Sequence, residues 1–134
     1  MITKGKYGYS CEVRAGYEET RERVVAALQQ QGFGVLTEID VKATLKKKLD
    51  ADFRKYTILG ACNPPLAHRA LRTEPHIGLL LPCNVIVYEN DDGTSTVAAI
   101  DAEVQLGIVD RPELGEVARD VTARLGKVLM AVES

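Results

Sequence analysis

The chain of 134 residues, 46% hydrophobic and 27% charged, is the length of one soluble domain and can bury a core without help from disulfides or metal. Seventeen basic against 19 acidic residues leave a net charge of −2, which provides no broad positive field for nucleic acid or an anionic membrane. No apolar run approaches the 18 residues of a membrane span, and the N-terminus does not read as a signal peptide, so a cytoplasmic protein is expected. Three cysteines in a reducing compartment argue against a disulfide framework.

Tyr7, Tyr9, Cys11 and Val13 alternate with polar residues and glycine, the period of a strand with one apolar face that includes Cys11. From Gly16 onward Tyr17, Val24, Val25, Ala27 and Leu28 take helical spacing, with Glu18, Glu19 and Glu22 near the positive end of the helix dipole. Gly32 is the expected left-handed stop. A second strand is read over 33–41, with Val35, Thr37, Ile39 and Val41 on one face and Leu36, Glu38 and Asp40 on the other.

Leu45, Leu49, Phe53 and Tyr56 form a narrow apolar stripe that predicts a short helix over 42–55, with Lys46, Lys47 and Lys48 on its solvated side. Tyr56 to Cys62 is apolar on both faces, as in a strand buried within a sheet. Asn63 then reads as an N-cap, Pro64 or Pro65 as a residue of the first turn, and Leu66, Ala67, Ala70 and Leu71 as the stripe of a short helix. Glu74-Pro75 closes it.

Cys83 to Glu89 and Thr94 to Ile100 flank an Asp-Gly turn and predict an antiparallel hairpin. After Asp101 no regular element is read until Asp110, which is expected to cap a final helix with Glu113 at the capping-box spacing. Leu114, Val117, Val121, Leu125, Val128, Leu129 and Val132 recur at intervals of three and four and make this the strongest periodic signal in the chain. This order lacks a regular strand-helix alternation, so the expected class is α+β: one domain over 1–134, with helices on one face of a mainly antiparallel sheet.

Chemistry concentrates at Cys62 and Cys83, both proline-flanked and both at strand ends, the candidates for a catalytic role. A helix beginning at Pro64 would aim its unpaired N–H groups at Cys62, lower its thiol pKa and make it reactive. Asn63, His68 one turn along that helix, and Asp40 on the second strand are the candidate ligand-binding residues. Cys11 reads as core.

A Cys62–Cys83 disulfide would close a loop of about 20 residues and stabilise the fold by roughly 3 kcal/mol, but a reducing cytosol opposes it unless it is transient. Without a Cys-x-x-Cys or His-x-x-x-His pair, no structural metal site is read. What remains is thiol exchange, sulfur carriage or soft-metal capture by the pair. Set against it is a noncatalytic ligand-binding or interaction module in which both cysteines pack, as unpaired cysteines generally do. Phosphate loops, dinucleotide fingerprints and serine-hydrolase elbows are missing from the sequence, and no cofactor is implied.

The segments Tyr56-Thr57-Ile58-Leu59-Gly60-Ala61-Cys62-Asn63-Pro64 and Gly78-Leu79-Leu80-Leu81-Pro82-Cys83-Asn84-Val85, with Ala67 and the upstream Ile39-Asp40-Val41-Lys42, resemble the domain of unknown function 302 family over most of the chain. The resemblance implies an α+β fold akin to one TATA-binding-protein-like repeat, and homodimers. It carries no established activity and does not imply DNA binding. The family's motif cysteines fall on Cys62 and Cys83. A small-molecule or sulfur-carrying partner is the further expectation.

Overall fold

The computed structural model describes residues 1–133, and its centre is a six-stranded antiparallel sheet. In chain order the elements are β1 (Thr3–Lys4), β2 (Gly8–Val13), α1 (Tyr17–Gln30), β3 (Gly34–Asp40), α2 (Val41–Leu49) and β4 (Tyr56–Cys62). There follow α3 (Pro64–Thr73), a 3-10 helix (Pro75–Leu80), β5 (Cys83–Glu89), β6 (Ser95–Ile100), α4 (Ala102–Gly107) and α5 (Glu113–Val132). The sheet order is β1-β2-β6-β5-β4-β3, so the α+β class and antiparallel sheet read from the sequence are observed.

One face of the sheet is dry. Cys11 and Val13 of β2, Val97 and Ala99 of β6, Val85 and Val87 of β5, and Leu59 and Ala61 of β4 all point to this side and are buried. The alternation that the strands require thus places every second residue against α1 and α5. The stripe expected on α5 is buried along its whole length, from Leu114 to Val132. α3 and α4 pack on α5 and extend the same layer.

Local capping explains several boundaries. Asn63 accepts the amide of Leu66 to start α3, and Asp40 accepts that of Ala43 to start α2. Gly32 follows α1 at φ 83°, the left-handed conformation expected of it.

Four readings require correction. Asp110 does not cap α5: it adopts φ 57°, not the extended backbone of an N-cap, and the helix starts at Glu113 behind Pro112. α4 replaces the irregular stretch expected after Asp101, whose carboxylate accepts the amides of Glu103 and Val104. α2 ends at Leu49, because Asp50 turns left-handed (φ 52°), and Phe53 and Tyr56 therefore lie outside it. Finally, β3 does not alternate as read. Its register on β4 slips between Val35 and Thr37, so Val35 pairs with Ala61 on the helix side while Thr37 and Ile39 pair with Gly60 and Ile58 on the other.

Candidate functional site

The antiparallel ladder that brings Ala61 of β4 opposite Cys83 of β5 makes Cys62 the diagonal neighbour of Cys83. Ordinary strand spacing then separates their Cα atoms by roughly 6 Å, with Cys62 starting toward the other face of the sheet because it follows the helix-side Ala61. Cys83 is the first residue of β5 and lies on the helix side. Cys62 is the last of β4, half-buried, and meets the same space from the strand end.

That space is a pocket of about 340 Å3 between the sheet end, α3, the 3-10 helix and the α4–α5 pair. Its walls are Leu66, Ala67, Ala70 and Leu71 of α3, Leu81 and Pro82 ahead of β5, Leu106 and Val117 from α4 and α5, and Leu36 at the β3 slip. Cys62, Cys83 and Asn63 are the lining residues that carry polar side-chain atoms. Pro82 reaches its place because β4 has glycine opposite: a Cβ on Gly60 would sit 2.8 Å from the Pro82 ring and 2.2 Å from Thr37 Oγ1.

The electrostatics run opposite to the sequence expectation. Burial pushes the Cys62 thiol up, and it pushes Cys83 up to about 11, with the nearby Cys62 adding to the rise. Two facts explain why the α3 N-terminus does not lower Cys62. The Asn63 side chain caps that terminus itself, and the walls around the thiol are apolar. All three cysteines are free.

Cys83 Sγ donates to Gln105 Oε1 at 3.7 Å, while Gln105 Nε2 donates to the Leu80 carbonyl. Gln105 therefore ties the Cys83 thiol to the 3-10 helix. It lies in α4, which sequence reading missed, and the Asp101 cap signal was the only pointer to it.

Cys62, Cys83 and Asn63 are brought together; His68 and Asp40 are not. His68 is two residues past Leu66, about 200° round α3, and is exposed on its outer side. Asp40 caps α2 at the far end of β3, opposite Thr57, whereas Cys62 lies opposite Gly34. Cys11 is core as read, with its sulfur 3.9 Å from the Leu129 carbonyl and its thiol pushed up to about 11 by burial first and Glu133 second. No cluster of three or more metal-ligating side chains occurs among the described residues.

The model of the domain of unknown function DUF302 matches residues 9–132. The chain belongs to the DUF302 family. A crystal structure of an uncharacterized conserved DUF302 protein from Bacillus stearothermophilus is 34% identical with a TM-score of 0.88, covering 96% of this chain and all of that one. An uncharacterized protein of Aquifex aeolicus (strain VF5) is 28% identical over 85 residues, 63% of this chain and 53% of the relative, so the match spans about half of that protein. The pocket, the two thiols and Gln105 thus belong to a DUF302 domain in which no helix among the described residues is long and apolar enough to cross a membrane.

Proposed function

We propose that the pocket binds a small ligand with an apolar body and a soft, thiol-seeking centre, and that Cys62 and Cys83 are the two groups that hold it. The observation that carries this reading is that two thiols from neighbouring strands line one otherwise apolar pocket. Nucleophilic thiol exchange finds little support, because exchange needs a thiolate and burial holds both thiols in the neutral form.

Charge narrows the choice of soft centre. Two thiolates on Cu(I) would leave a net negative charge in an apolar pocket, at a large desolvation cost. A trivalent arsenical gives a neutral product instead. In R–As=O + 2 R′SH → R–As(SR′)2 + H2O, two arsenic–sulfur bonds form, the arsenic–oxygen bond is lost, both thiol protons leave in the water, and no atom changes oxidation state. Three free cysteines also suit a reducing cytoplasm.

Phenylarsine oxide is the probe. One phenylarsenic group per chain, loss of two titratable thiols and an unaltered Cys11 are expected, with binding weakened on the order of 100-fold in Cys62→Ser or Cys83→Ser because one sulfur no longer chelates. Equal uptake by wild type and both variants would falsify the role of the pair. The second reading, an apolar binding pocket whose cysteines serve only as wall, rests on the burial of Cys83 and the aliphatic lining. It predicts that Nile red binds while phenylarsine oxide is not retained.

A further inference from the structure

The end of the sheet where β4 stops and β5 starts gathers exposed apolar side chains into a patch of the kind that marks an interaction site. Tyr7, Leu36, Leu71, Leu79, Val104 and Ile108 are all exposed there, Leu79 at 86%, Tyr7 at 73% and Ile108 at 72%. Lys6 and Tyr7 form the β1–β2 turn, closed by the Gly5 amide on the Gly8 carbonyl, and the Tyr7 carbonyl accepts the amide of Asp101, where α4 begins. Val104 and Ile108 lie four residues apart along α4, on the side away from the buried Ala102 and Leu106.

Gln105 of the same helix grips the 3-10 helix that carries Leu79, and Gly78 beside Leu79 lines the pocket. Leu36 and Leu71 complete the row as exposed members of the pocket wall. From β2 to β3 this end of the sheet is about 20 Å wide. Charge is sorted at the same end. Lys4, Lys6 and Arg72 enter no ion pair among the described residues. The carboxylates of the adjoining elements are occupied: Asp101 is buried and caps α4, Glu74 pairs with Arg111, and Glu103 and Asp110 line a groove with Arg111 and Arg119.

We infer that this end docks on the surface of a bilayer that carries anionic headgroups. Leucine and isoleucine with tyrosine and lysine at their border are the composition that seats in the headgroup zone, where the aliphatic groups enter the acyl boundary and the ammonium reaches the phosphates. Unpaired cations around apolar side chains complement anionic lipid, whereas the centre of a protein interface is depleted of lysine. The chain-wide charge of −2 supplies no long-range attraction, so docking needs the local cations and the apolar insertion together. One consequence rests on the proposed function: a ligand with an apolar body passes from the bilayer into the pocket mouth without crossing water.

Flotation with phosphatidylcholine vesicles containing about 30% phosphatidylserine should carry the chain upward, with about tenfold less bound to pure phosphatidylcholine. Leu79→Asp with Ile108→Asp, and Lys6→Glu with Arg72→Glu, should each lower binding by about tenfold, whereas Leu49→Asp on α2 leaves it unchanged. A second readout does not depend on losing the contact. The chain has no tryptophan, so Leu79→Trp should shift its emission to the blue on vesicles while Leu49→Trp does not. Phenylarsine oxide uptake, measured without vesicles, reports the pocket separately. A chain that stays free of anionic vesicles, equal binding to neutral ones, full binding by both paired variants, or a Leu79→Trp emission that does not move overturns the inference and leaves this end to a protein partner.

Discussion

The Cys83 thiol donates to Gln105 Oε1 at 3.7 Å, and the same side chain grips the Leu80 carbonyl. One amide therefore satisfies a buried thiol and the end of the 3-10 helix together, and the pocket wall depends on both. Replacing Gln105 by Leu leaves the Leu80 carbonyl without its partner, at a cost of about 1–3 kcal/mol. A lower urea midpoint and faster labelling of Cys83 by 5,5′-dithiobis(2-nitrobenzoate) are the expected outcomes. An unaltered labelling rate would show that Gln105 does not hold the thiol.

The buried thiols make the fold alkali-sensitive in a defined window. Cys83 and Cys11 rise from the ordinary value of 9.0 to about 11 in the folded chain. Between these values the unfolded chain has lost protons that the folded chain retains, so unfolding becomes easier as pH rises. Stability should hold below about pH 9 and fall through pH 11, by about 2–3 kcal/mol for each thiol. Urea titrations from pH 8 to 11 test this, and Cys83→Ser should flatten the slope. A flat wild-type profile counts against burial as the cause.

Gly60 is required by closeness rather than by backbone conformation. Alanine there meets the Pro82 ring at 2.8 Å and Thr37 Oγ1 at 2.2 Å. A loss of about 1–3 kcal/mol is expected from overpacking. Thr37→Ala in the same chain should restore only part, since the proline ring cannot move away as a side-chain hydroxyl can. Full recovery in the double variant would place the whole strain on Thr37.

Asn63→Ala removes the α3 cap and should cost about 1 kcal/mol, whereas Asn63→Asp keeps an acceptor for the Leu66 amide. The aspartate also sets a negative charge next to Cys62 and so should slow its alkylation near neutral pH. Thermal melts and alkylation rates for the pair separate the two roles. His68→Ala, on the outer side of α3, should change neither reading.

What the sequence disclosed follows from the length of each signal. The seven apolar positions of α5 and the Asn-Pro-Pro start of α3 are strong patterns: α3 starts where it was read, and α5 buries the stripe read for it although its cap was misplaced. β1 has two residues and α4 six, too few for a period to show. The slip in β3 was invisible because a strand with one extra residue still looks alternating on each side of it. The meeting of Cys62 and Cys83 was legible because β4 ends where β5 begins, so turn residues beside each cysteine mark one end of the sheet. The direction of their titration was not, since it depends on walls contributed by α3, α4, α5 and Leu36.

The slip in β3 has one more effect. β3 is an outer strand of the sheet, and it is exposed along almost all of its length, with Leu36 67% and Ile39 46% accessible. A straight outer strand with such side chains would offer its free amides and carbonyls as a template for the next chain. The extra residue at Leu36 bends that rim and breaks its spacing. Such a slip makes the rim a poorer template for edge-to-edge pairing with another copy than a straight strand would be.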